Sequence, residues 1–111
     1  MPITVQVLDV VHGRPAGGVG MRLERSDGRD WSLVASVTTD ESGRVDDSWT
    51  DPGAGSFRLV VQTRRFFALL GMNPAHGELT IAFDVRDPAL EHHIPILIAP
   101  FGITTYIGST S

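Results

Sequence analysis

Short stretches of alternating or β-branched residues recur along this chain, each closed by a cluster of Gly, Pro, Asp and Ser, and this punctuation constrains the fold most strongly. In an extended strand every second side chain points to the same side, so alternation of apolar and polar residues suits a sheet with one face buried. Residues 3–10, 19–25, 57–62 and 78–85 read this way. Residues 94–99 and 104–108 flank Ala99, Pro100, Phe101 and Gly102, which form a turn signal. Two more strands are expected at 31–38 and around 45–50. The stretches "HGRPAGG", "TDESGR" and "TDPGAGS" supply the residues that chain reversals require. Seven or eight short strands at this spacing predict an all-β fold, a two-sheet antiparallel β-sandwich, with residues 1–111 forming one domain.

One segment breaks the period. In "RRFFALLGMNPAHG", from Arg64, the residues Phe66, Phe67, Leu69 and Leu70 cluster as on a helix face, and Gly71 and Pro74 are stop signals. One short helix is therefore expected near residues 64–71.

Composition removes several function classes. A chain of 111 residues buries about two thirds of its unfolded surface, enough for a core without covalent staples. It has no cysteine, so disulfides, thiolate metal sites and cysteine nucleophiles are excluded, and a cytoplasmic location is the expectation. "MPITVQVLDV" lacks a basic leader, and no apolar run approaches bilayer length, so no membrane partner is expected. All nine basic residues are arginine, and with thirteen acidic residues the net charge is −4, which offers nucleic acid no long-range attraction. Asp46, Asp47, Asp84 and Asp87 lack calcium-loop spacing, and no Lys-Ser/Thr pair follows the glycines between Gly13 and Gly20. Neither a metal nor a cofactor is expected.

The order of these elements, together with four words, resembles the transthyretin and 5-hydroxyisourate hydrolase family. The words are "VLDVVHGRPAGGV" from Val7, "TTDESGR" from Thr38, "FFALLGMNPAHG" from Phe66 and "HHIPILIAPFGITTYIGS" from His92. The last is similar to the closing signature of the hydrolases, in which a histidine-rich start leads through P-L-L-L-S-P to Y-R-G-S. The resemblance covers nearly the whole chain. It implies a prealbumin-like sandwich whose site comprises a first-strand His, an Arg after a turn, a late-strand His and the closing tetrapeptide. Arg44, His93, Tyr106, Gly108 and Ser109 fall on those positions. Gln6 stands where the first-strand His is expected, Ile107 where the closing Arg is expected, and Glu91-His92-His93 replaces a His-Tyr-His pattern.

Opening a cyclic amide or ureide takes a deprotonated water, a donor for the developing oxyanion and a proton for the leaving nitrogen. Histidine suits proton transfer near neutral pH, and arginine presents a fixed positive fork. The resemblance thus implies catalytic roles for His93 as acid/base, Arg44 as oxyanion or substrate clamp and Ser109 as a hydrogen-bonding orienter. Gln6, Tyr106, Ile107 and Gly108 would contact the substrate. Gln6 takes no proton, though its amide can orient a water. The implied partners are a small-molecule substrate and three further copies, in a homotetramer whose closing strands line a channel between dimers. The alternatives are a noncatalytic ligand-binding protein and a homologue turned to a different ring.

Read without the resemblance, these residues have plainer roles. His93 is then a partly buried strand histidine, His92 a solvent-facing one, and His12 and His76 surface residues of turns. Arg44 is a solvated charge beside a turn, and Gln6 a polar residue on the exposed face of the first strand.

Overall fold

The computed structural model describes residues 3–45 and 52–110. Its elements in chain order are β1 (Ile3–Asp9), β2 (Arg14–Pro15), β3 (Gly20–Ser26), β4 (Trp31–Thr38), β5 (Gly55–Val61), α1 (Thr63–Leu69), β6 (Leu79–Val85), β7 (Glu91–Ala99), β8 (Gly102–Thr105) and β9 (Gly108–Thr110). The strand expected around residues 45–50 lies outside the described residues except for Val45. One sheet has the order β2-β1-β7-β8, with β9 also on β7, and the other has the order β4-β3-β5-β6.

The alternation that predicted the strands also builds the core. Val5 and Val7 of β1, Leu23 of β3, Phe57, Leu59 and Val61 of β5, and Ile94, Ile96 and Ile98 of β7 all point between the sheets and are buried. Each such side chain contributes about 1.5–3 kcal/mol by leaving water. The rings of Phe57 and Phe83 stack across β5 and β6 with centroids 5.9 Å apart.

Among the described strands the pairing is antiparallel except at one seam. β1 and β7 run parallel, with Thr4 beside His93, Gln6 beside Pro95 and Leu8 beside Leu97. Parallel neighbours need a long connection, and these two strands come from opposite ends of the chain, so almost the whole fold serves as their crossover.

The closing strand is interrupted. β8 pairs Thr105 with Ile96, and β9 pairs Gly108 with His93. Both segments keep one register, in which Tyr106 falls opposite Pro95 and Ile107 opposite Ile94. Pro95 has no N–H to donate, so the ladder opens there. The Thr105 hydroxyl takes up the free Pro95 carbonyl at 2.8 Å. The single strand expected over 104–108 is therefore two short ones with Tyr106 and Ile107 between them.

The helix spans seven residues, too few to persist unaided. Phe67 anchors it in the core, but of the expected apolar face Leu69 is 75% and Leu70 41% exposed. The chain turns out at Gly71, whose φ of 77° lies in the left-handed region. His76 does not sit free in its turn. Its Nε2 bonds the Ala99 carbonyl at 2.7 Å and its Nδ1 the Thr63 hydroxyl at 2.9 Å, tying the helix start to the end of β7.

Candidate functional site

Alternation divides β1 and β7 between core and outer surface. Thr4, Gln6, Glu91 and His93 fall on the outward positions, between buried neighbours. The parallel register sets Thr4 next to His93, and the Thr4 hydroxyl lies 2.7 Å from His93 Nδ1. If Nδ1–H donates to Thr4, the lone pair of Nε2 is left free to take a proton.

Arg44 reaches the same sheet from the other side of β1. Its turn is built around Asp40, whose Oδ1 accepts from Ser42 N at 2.8 Å, the Ser42 hydroxyl at 2.6 Å and Arg44 N at 3.1 Å. The Ser42 hydroxyl and then the Arg44 N–H hold this carboxyl below its ordinary range, so the turn keeps a charged acceptor at neutral pH. Gly43, at φ 75°, lays its carbonyl 2.7 Å from Val7 N, and Arg44 then forms a bridge opposite Gln6. A Cβ on Gly43 would meet the Val7 carbonyl oxygen at 2.2 Å, so this approach requires glycine.

These elements enclose a surface hollow of about 380 Å³ lined by Thr4, Val5, Arg44, Val45, Glu91 and His93. Of the residues singled out in the sequence, His93 and Arg44 share it. Gln6 sits one step along β1, between Pro95 and the Arg44 bridge, and is not among the lining residues. Gly108 is paired with His93 and Ser109 with His92 through the backbone ladder. Tyr106 is 63% and Ile107 43% exposed at the break opposite Pro95. Thr4 was not singled out in the sequence, and Glu91 was noted there only as a departure from the His-Tyr-His pattern, with no role in the site. Their signal was parity: each is a polar residue two positions from Gln6 or His93.

His92 faces the other way. It is 7% exposed, with Nδ1 2.9 Å from the Leu90 carbonyl, so the solvent-facing role read from the sequence is overturned. His12 also has a partner, since its Nδ1 lies 2.6 Å from Oδ2 of buried Asp9. Burial pushes the Asp9 carboxyl up, but hydrogen bonds from the His12 ring and the His12 and Val11 N–H groups outweigh it and leave it below its ordinary value. This pair caps the turn after β1 and lies away from the hollow. Among the described residues no group of three His, Asp or Glu side chains comes together to hold a metal ion. No helix among them is long and apolar enough to cross a membrane.

The model of the HIUase/Transthyretin family matches residues 3–108. The chain belongs to this family. Among family relatives, 5-hydroxyisourate hydrolase 2 of Rhizobium meliloti is 34% identical, over 96% of this chain and 95% of its own length. A probable 5-hydroxyisourate hydrolase of Caenorhabditis elegans is 32% identical, over 96% of this chain and 81% of its own. The crystal structure of sea bream transthyretin in complex with thyroxine superposes with a TM-score of 0.93 at 27% identity, covering 100% of this chain and 98% of that one. The family therefore contains relatives named 5-hydroxyisourate hydrolase and relatives named transthyretin on one sandwich.

Proposed function

We propose that this protein is a cytoplasmic hydrolase of the 5-hydroxyisourate type, opening a cyclic amide or ureide ring in purine breakdown. The observation that carries the reading is the hollow that His93, oriented by Thr4, lines together with Arg44. In the proposed step His93 Nε2 takes a proton from water while the water oxygen attacks a ring carbonyl carbon. Arg44 stabilises the oxyanion that forms. The ring C–N bond then breaks, the proton passes from His93 to the leaving nitrogen, and the product carries a new carboxyl group. Gln6 orients the water, and Tyr106, Ile107, Gly108 and Ser109 complete the substrate contacts, as the resemblance assigns them.

Gln6 takes no proton, and a missing general base costs about 100- to 10,000-fold in rate. We therefore place activity on 5-hydroxyisourate above background but well below that of a two-histidine site. The same departure favours a second reading, a noncatalytic ligand-binding protein. For assembly we propose a homotetramer, with exposed Phe101, Tyr106 and Ile107 buried between copies. Light scattering at micromolar concentration tests the assembly. Ring opening is followed on freshly generated 5-hydroxyisourate. The hydrolase reading requires turnover that vanishes in His93→Ala and falls sharply in Arg44→Ala. A wild-type rate equal to the spontaneous one transfers the case to the ligand-binding reading.

A further inference from the structure

The hollow contains two full charges of opposite sign, Arg44 and Glu91. Neither side chain forms an ion pair or hydrogen bond with the other or with any other group among the described residues. Glu91 is half-buried at the start of β7, two residues before His93, and so shares its outward face. A carboxylate left without a partner beside a candidate acid/base is a specificity element in waiting, because it rewards hydrogen-bond donors and penalises negative charge.

Resting on the ring-opening reading above, we infer that the hollow takes a neutral ring, presenting a carbonyl oxygen to Arg44 and N–H groups to Glu91, and that Glu91 selects against anionic rings. A negatively charged ring gains at Arg44 and loses at Glu91, so its charge brings no net advantage. A neutral cyclic ureide, imide or amidine has acceptors and donors on different edges and answers both walls at once. At about 380 Å³ the hollow is at the small end of the range for small-molecule sites, which suits a single ring with short substituents. Glu91 is then a specificity-determining residue, and Thr4 and His93 lie on the same wall without opposing the ligand's neutrality.

The test is binding, read independently of turnover. Calorimetry measures the dissociation constants of hydantoin, a neutral cyclic ureide, and of urate, which is a monoanion at pH 7.5. Both are titrated into the wild-type protein and into Glu91→Gln. The Glu91 side chain has no hydrogen-bond or ion-pair partner among the described residues, so the variant is expected to unfold at the wild-type temperature, which circular dichroism checks. The ratio of the two constants is expected to favour hydantoin in the wild type. In Glu91→Gln it should move toward urate by about tenfold or more, the size of one lost charge-assisted hydrogen bond. Arg44→Gln should move it the opposite way. An unchanged ratio in Glu91→Gln, or no binding of either ring at millimolar concentration, overturns the inference. Ring opening of 5-hydroxyisourate, measured on the same samples, keeps the two ideas separable. Turnover with an unmoved ratio sinks only the selectivity, and a moved ratio without turnover sinks only the hydrolysis.

Discussion

Replacing Gly43 by alanine should do more damage than replacing any freely placed glycine of the same backbone conformation. Two costs add. A side chain at φ 75° carries left-handed strain of about 1–2 kcal/mol. The new Cβ also lies 2.2 Å from the Val7 carbonyl oxygen, where real contacts stop near 3.0 Å, so the segment must retreat from β1 by most of an ångström. That retreat strains the 2.7 Å bond from Val7 N to Gly43 O, and an unmet N–H on fully buried Val7 costs about 1–3 kcal/mol. The total is about 2–5 kcal/mol, which for a domain of this size lowers Tm by roughly 10–20 °C. Gly18→Ala is the control. Its φ is 80° and nothing lies within 4 Å of the added Cβ, so it carries the strain alone. Thermal unfolding followed by circular dichroism compares the two. Because the same retreat carries Arg44 away from Gln6 and the hollow, turnover per folded molecule should also fall, by about a hundredfold for an ångström of misplacement. A Gly43→Ala protein as stable as Gly18→Ala would refute the claim that this close approach positions Arg44.

Thr4→Val should lower kcat/KM on a ring substrate about tenfold while Thr4→Ser keeps it, with the ring ¹⁵N shifts of His93 reporting the loss of the Nδ1–H tautomer; identical shifts in all three proteins would contradict the tautomer role. Asp9 has a carboxyl pKa below its ordinary 3.8, so its contribution is fully present above that value and is lost as pH falls through the lower folded one. Wild-type Tm should thus drop, as pH falls below about 4 and on through the lower folded value, more steeply than that of Asp9→Asn, and parallel curves would show that the His12 cap does not couple to folding. Pro95→Ala restores a donor opposite Tyr106, so amide exchange of residues 105–108 should slow by about tenfold as β8 and β9 join; unchanged exchange would mean that something other than the proline opens the ladder.

Much of this fold was legible because burial follows a period of two. Val5, Val7, Leu23, Leu59 and Ile96 announce an inner face without reference to any other strand. What stayed hidden depends on pairing across the chain. The break at Tyr106 and Ile107 is caused by Pro95 on the neighbouring strand, and nothing local to 104–108 signals it. The parallel seam of β1 and β7 joins residues about ninety apart, and only that register brings Thr4 to His93. The helix was legible as an element, but its orientation was not, because buried Phe67, with Phe66 packed partly against the core beside it, anchors it and leaves Leu69 and Leu70 outside. The same reasoning explains the site. Arg44 and His93 were visible as motif positions, whereas Thr4 and Glu91 acquire meaning only once the strands are aligned. His92 was assigned the wrong face because adjacent histidines give no local sign of which one points inward.

The central claim is that a ring is bound and worked on in the hollow formed by Thr4, Arg44, Glu91 and His93. A crystal structure of the protein with hydantoin bound tests it most directly. The account predicts the ring in that hollow, with a carbonyl oxygen within hydrogen-bond distance, about 3 Å, of the Arg44 guanidinium and His93 Nε2 facing the same carbonyl. Hydantoin bound elsewhere, such as against Leu8, Val10 and Pro15 or along the Leu97 and Thr104 surface, with the hollow empty, would contradict it.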